Sequence, residues 1–142
     1  MKTMDPLRSY KETQIKTATP GKLILMLYDG AIKNLNRALE DMNAQHSRYD
    51  RVSNALIRAQ DIIAELMVSL DFERGGDIAK SLFSLYVFMN RRLLDGNIKK
   101  EKAPLEEVKS LLTELRSAWA EVADRAGVGN GSMQGGGVNI AG

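Results

Sequence analysis

The stretch Ser81–Leu94, SLFSLYVFMNRRLL, decides the fold and raises the question of function. Seven of the eight residues from Leu82 to Met89 are apolar or aromatic. At about 100° per residue, Ile78, Ala79, Leu82, Leu85, Tyr86, Met89 and Leu93 fall within one arc of roughly 120°. That arc is a full bundle-facing stripe for an amphipathic helix. A second row, Phe83, Val87, Leu94 and Ile98, lies beside it at about 100–160°, interrupted mainly by Lys80. A helix of a small bundle needs one apolar face, and this one carries more.

Outward from this stretch, three more segments repeat apolar residues in steps of three and four. Leu25, Tyr28, Ile32, Leu35, Leu39 and Met42 form the first stripe, opened by Thr19 as N-cap and Pro20 at the first helical position. Val52, Leu56, Ala59, Ile63, Leu66 and Leu70 form the second, which the pair Gly75–Gly76 is expected to end. The third helix is then expected from Asp77, as N-cap, to about Lys99. Leu105, Val108, Leu112, Leu115, Trp119 and Val122 form the last, with Pro104 at its start and Glu106 and Glu107 in its first turn, where the dipole favours acids.

Four helices of roughly 33–39 Å joined by short links predict an all-α, antiparallel up-down four-helix bundle. We expect the bundle over residues 19–126. Residues 1–18 are read as a short N-terminal helical cap segment, with Asp5 and Pro6 at its start. Residues 127–142, GVGNGSMQGGGVNIAG, hold seven glycines and no charge. They bury too little to fix their backbone and are expected to be disordered.

Composition narrows the function. The net charge of +2 is too small to make nucleic acid a natural partner. There is no cysteine, which excludes disulfides and thiolate chemistry. No run of about 18 apolar residues predicts a membrane span, and residues 1–14 lack the apolar core of a secretory signal. A cytoplasmic protein is expected. One histidine, His46, sits in a connection, and no Glu-x-x-His pair, zinc set, phosphate loop or nucleophile elbow occurs. We expect no catalytic residues, no metal and no cofactor. The basic cluster Arg91, Arg92, Lys99, Lys100 and Lys102 is explained by dipole complementarity and solvation, or by contact with an acidic partner.

The first helix repeats the excess in its N-terminal half, where Leu23–Leu27, LILML, is apolar all round. In an up-down bundle the first and third helices run parallel, so the surplus residues Leu23, Met26, Leu27, Phe83 and Val87 cluster toward one end. In a square arrangement those helices are diagonal and the surplus forms two patches. One reading is that the third helix is simply the most buried. The other is a groove for an amphipathic partner segment. Residues 1–18 enter at the same end and would cover part of it as a removable cap.

The segments TATPGKLILMLYDGAI, AQDIIAEL, SLDFERGGDIA, LYVFMNRRLLDGNIKK and LLTELRSAWAEV resemble, in order and spacing, the flagellin export chaperone family, FliS. The resemblance covers about residues 5–123. It implies a cytoplasmic helical bundle that holds the disordered C-terminal segment of newly made flagellin in apolar grooves. It also implies that the chaperone prevents premature polymerisation and assists delivery to the flagellar type III export gate. Carried onto this chain, it places Tyr10 and Ile15 in the N-terminal segment and makes Leu23, Leu27, Phe83 and Val87 groove residues. Met26, Leu94 and Ile98 join them on the angular argument. A monomer or weak dimer without membrane insertion is expected. The alternative is a structural bundle that uses its surplus face to associate with itself and has no client.

Overall fold

The computed structural model describes residues 20–44 and 48–128, with side chains described to residue 123. The expected cap segment with Tyr10 and Ile15, the N-cap Thr19, His46 and residues 129–142 lie outside the described residues. Four helices follow one another: α1 (Pro20–Asn43), α2 (Tyr49–Val68), α3 (Phe72–Lys99) and α4 (Lys102–Val128). No strand occurs among the described residues. α4 continues through Gly127 and Val128, two residues into the stretch read from the sequence as tail.

Each helix packs against two others, α1 on α2 and α4, and α3 on α2 and α4. α1 and α3 are therefore diagonal, as are α2 and α4. The polar contacts fix the directions. Arg116 pairs with Asp29 at 2.8 Å, and Trp119 Nε1 donates to the Gly21 carbonyl at 3.1 Å. α4 thus runs antiparallel to α1. Arg92 pairs with Glu107 at 2.7 Å and joins the end of α3 to the start of α4.

The core follows the stripes. Tyr28 and Leu35 of α1, Val52, Leu56, Ala59, Ile63 and Leu66 of α2, and Leu105, Val108 and Leu112 of α4 are all buried. From α3 come Ala79, Tyr86, Met89 and Leu93. Each large side chain so buried contributes about 1.5–3 kcal/mol. Between them Tyr28 and Tyr86 meet across the diagonal, hydroxyl to hydroxyl, at 2.6 Å.

Two expectations for α3 need correction. The helix begins at Phe72, five residues before Asp77. Its N-cap is Asp71, whose carboxylate accepts from the Glu73 and Arg74 amides, each at 3.1 Å. The Gly75–Gly76 pair does not end α2. It sits inside α3, where Gly76 alone leaves helical geometry at φ 50°, ψ −125°. That left-handed region favours glycine, so the chain breaks for one residue and resumes. Ile78, assigned to the core-facing arc, is 73% exposed. It lies on the first turn after the break, and angular position assigns a face without saying whether a neighbour reaches far enough to cover it.

Candidate functional site

The second row of α3 stays outside the core. Phe83, Leu94 and Ile98 are exposed and Val87 is half-buried. The row runs along the seam between α3 and α2, and polar bonds at the floor of that seam set its register. Gln60 Nε2 donates to the Asn90 carbonyl at 3.2 Å, and Asn90 Nδ2 donates back to the Gln60 carbonyl at 3.3 Å. Farther along, Ser53 Oγ donates to Asn97 Oδ1 at 2.9 Å. Because the helices are antiparallel, this register brings Ile57 to the level of Leu94, Ala64 to that of Val87, and Val68 to that of Phe83. Ile57 is exposed, and Val68 is 81% exposed. The seam is thus an apolar trough with walls from two helices above a hydrogen-bonded floor.

A second apolar pocket opens where α1 begins and α2 ends. Pro20, Leu23, Ile24 and Leu27 line it with Glu65, Val68 and Ser69, around a volume of about 280 Å³. Met26 is half-buried and does not line it. Val68 belongs to this pocket and, by register, stands level with Phe83 in the trough. The two apolar surfaces therefore lie on either side of α2, matching the diagonal placement of α1 and α3. At the same end Phe72 folds back over α3. Its ring meets that of Phe83 edge to face, with centroids 6.0 Å apart. Such a pair contributes about 0.5–1.5 kcal/mol beyond area burial.

Leu23 and Leu27 thus line one pocket, and Phe83, Val87, Leu94 and Ile98 line one wall of the other surface. Sequence reasoning missed Ile24, Ile57, Val68 and Phe72. Ile57 and Val68 were detectable, since both are apolar and both stand off the α2 stripe. Phe72 was hidden because the third helix was expected to start only at Asp77, beyond Gly75–Gly76.

The basic cluster divides. Arg92 is committed to Glu107. Lys100 caps α3 in the left-handed conformation at φ 53°, and its Nζ donates to the Asn97 carbonyl (2.7 Å), Asn97 Oδ1 (2.6 Å) and Ser53 Oγ (3.0 Å). The same ammonium lies 5.7 Å from the centre of the Tyr49 ring, within cation–π range. Arg91, Lys99 and Lys102 are exposed. Burial pushes the Tyr28 hydroxyl above the usual phenol range, helped by the Coulombic and hydrogen-bonding influence of Tyr86. Burial also raises Tyr86, although its hydrogen bond to Tyr28 pulls the other way. Among the described residues no group of three acidic, histidine or cysteine side chains is placed to hold a metal ion. No helix among them is long and apolar enough to cross a membrane. What this surface offers chemically is adhesion to apolar side chains.

Comparison with known proteins gives a consistent result. The sequence pattern of the family described as flagellar protein FliS matches residues 3–126. The flagellar secretion chaperone FliS of Bacillus subtilis (strain 168) is 36% identical over 134 residues, covering 91% of this chain and 98% of that protein. The flagellar secretion chaperone FliS of Salmonella typhimurium is 37% identical over 116 residues, covering 81% and 84%. That of Vibrio cholerae is 35% identical over 120 residues, covering 82% and 87%.

Proposed function

This chain belongs to the flagellar protein FliS family, and on that premise we propose that it is a non-enzymatic cytoplasmic chaperone of flagellar secretion. Its client is the C-terminal segment of flagellin, held in the α2–α3 trough and the α1–α2 pocket until delivery to the flagellar type III export apparatus. The observation that carries this reading is the uncovered row Phe83, Val87, Leu94 and Ile98 facing Ile57 and Val68.

The physical logic is one of substitution. A chain that becomes helical only among its own copies has apolar faces with no partner while it is a monomer. A trough between two helices receives such a face as a third helix would. Burying roughly 800 Å² of apolar surface contributes about 20 kcal/mol gross at ~25 cal/mol per Å², and ordering the client consumes much of it. Two separate surfaces on either side of α2 suit a client that is held firmly yet released stepwise. Segments joined by flexible chain bind with high combined strength, and each detaches on its own.

Co-purification tests the reading. Full-length flagellin should be retained on the immobilised protein, and flagellin lacking its C-terminal segment should not. Equal retention of both would remove the C-terminal segment as the client. A tight homodimer indifferent to flagellin would favour self-association in its place.

A further inference from the structure

We propose that the α2–α3 trough also selects the direction in which a helix lies in it, by opposite charges on its two rims. This rests on the reading that the trough docks an amphipathic helix.

Helical periodicity orders the residues on each outer face. On α2, moving away from the trough, the apolar wall of Ile57 and Val68 gives way to Asp61, and Glu65 farther round lines the α1–α2 pocket. Arg58 and Arg51 stand only beyond them, toward α1. On α3 the apolar wall gives way to Lys80 and Arg91, with Asp95 farther round. The three nearer charges, Asp61, Lys80 and Arg91, are exposed and form no ion pair among the described residues. The nearer rim is therefore acidic on α2 and basic on α3, and no ion pair among the described residues joins the two across the trough.

An amphipathic helix can lie apolar face down in either of two directions. Its left and right flanks exchange when it is turned end for end. If those flanks carry opposite charges, only one direction places the basic flank over Asp61 and the acidic flank over Lys80 and Arg91. Handedness makes the rule explicit. A partner helix with acidic residues one position after its central apolar residues, and basic residues one position before them, lies parallel to α2. Exchanging the two charges lays it antiparallel. The occupant that fits is an amphipathic helix with one acidic and one basic flank.

Two synthetic helical peptides test this. They share one apolar face and composition, with Glu and Lys exchanged between flanks, and each carries a photo-crosslinker at its N-terminus. With the full-length protein, the first should attach near Asn54 and Ile98 and the second near Val68 and Phe83. The preference should be on the order of 5:1 at low salt and should fall toward 1:1 at 1 M salt. The D61K/R91E variant should lose or invert it. Attachment of both peptides at the same end, in the same ratio, would overturn charge selection while leaving the docking site intact. Binding of neither peptide, or binding of both that survives Leu94→Asp, would overturn the docking site and the selection with it.

Discussion

The phenolic oxygens of Tyr28 and Tyr86 lie 2.6 Å apart inside the bundle and join α1 to α3, two helices that stand on its diagonal. Each residue is 2% exposed, so neither hydroxyl has ready access to solvent. Tyr86→Phe removes one partner and leaves the Tyr28 hydroxyl buried without it. The expected loss of stability is about 1–3 kcal/mol. The double variant Tyr28→Phe/Tyr86→Phe should cost less than the two single losses added together, because no polar group is then stranded. Urea denaturation of the three variants checks this, and simple additivity would count against a shared bond.

The same pair governs alkaline stability. Both phenols titrate above their ordinary value in the folded protein. Unfolded phenols ionise near pH 10, so above that pH the unfolded chain releases protons that the folded one retains. The stability linked to these groups is complete below about pH 10 and declines as pH rises further. Unfolding free energy followed from pH 8 to 11.5 should fall more steeply in the parent than in the double Phe variant. Parallel curves would mean that the pair does not set the decline.

Leu93 and Leu94 are neighbours in sequence with opposite roles. Leu93 is fully buried and Leu94 is 50% exposed. Leu93→Ala should destabilise the fold by about 2–5 kcal/mol. Leu94→Asp should leave thermal stability close to the parent and weaken retention of flagellin by tenfold or more, on the order of 1.4 kcal/mol. Calorimetry paired with a binding assay separates the two. Unfolding of the Leu94→Asp protein would make that side chain part of the core.

Gly96 of α3 lies directly against the start of α4. A Cβ there would lie 2.6 Å from Leu105 Cδ1 and 3.2 Å from Pro104 Cβ. Leu105 is itself fully buried and has little room to yield. Gly96→Ala should therefore cost about 1–3 kcal/mol through overpacking. Gly76→Ala meets nothing within 4 Å, and its cost of about 1–3 kcal/mol would come from the positive-φ backbone alone. Gly76→Asn should recover part of that loss, whereas Gly96→Asn should be worse than Gly96→Ala.

The stripes of α1, α2 and α4 could be read directly because helical spacing and burial coincide in them, as at Leu35, Ile63 and Leu112. The excess on α3 was legible for the same reason: Phe83 and Leu94 lie off the arc that Met89 and Leu93 occupy. The turn at Gly76 was not legible. Paired glycines usually close a helix, and the capping bonds of Asp71 depend on geometry that spacing does not encode. Ile78 shows the limit of angular reasoning, which knows directions and not the lengths of neighbours. The far wall of the trough, Ile57 and Val68, required the α2–α3 register. Gln60 and Asn90 set that register through backbone carbonyls, which every residue possesses and no sequence pattern marks. Lys100 looked like a solvated charge because the αL turn that points it back at Ser53 and Asn97 was invisible.

The chain contains a single tryptophan, and its indole N–H is tied to the carbonyl of Gly21 in the opening turn of α1. Leu23 and Ile24 follow at once along the wall of the pocket. Ultraviolet emission from this molecule therefore comes chiefly from an indole tied to the opening turn of α1. Its colour and quenching register whether that first turn is docked on α4 or frayed, without any dye being attached.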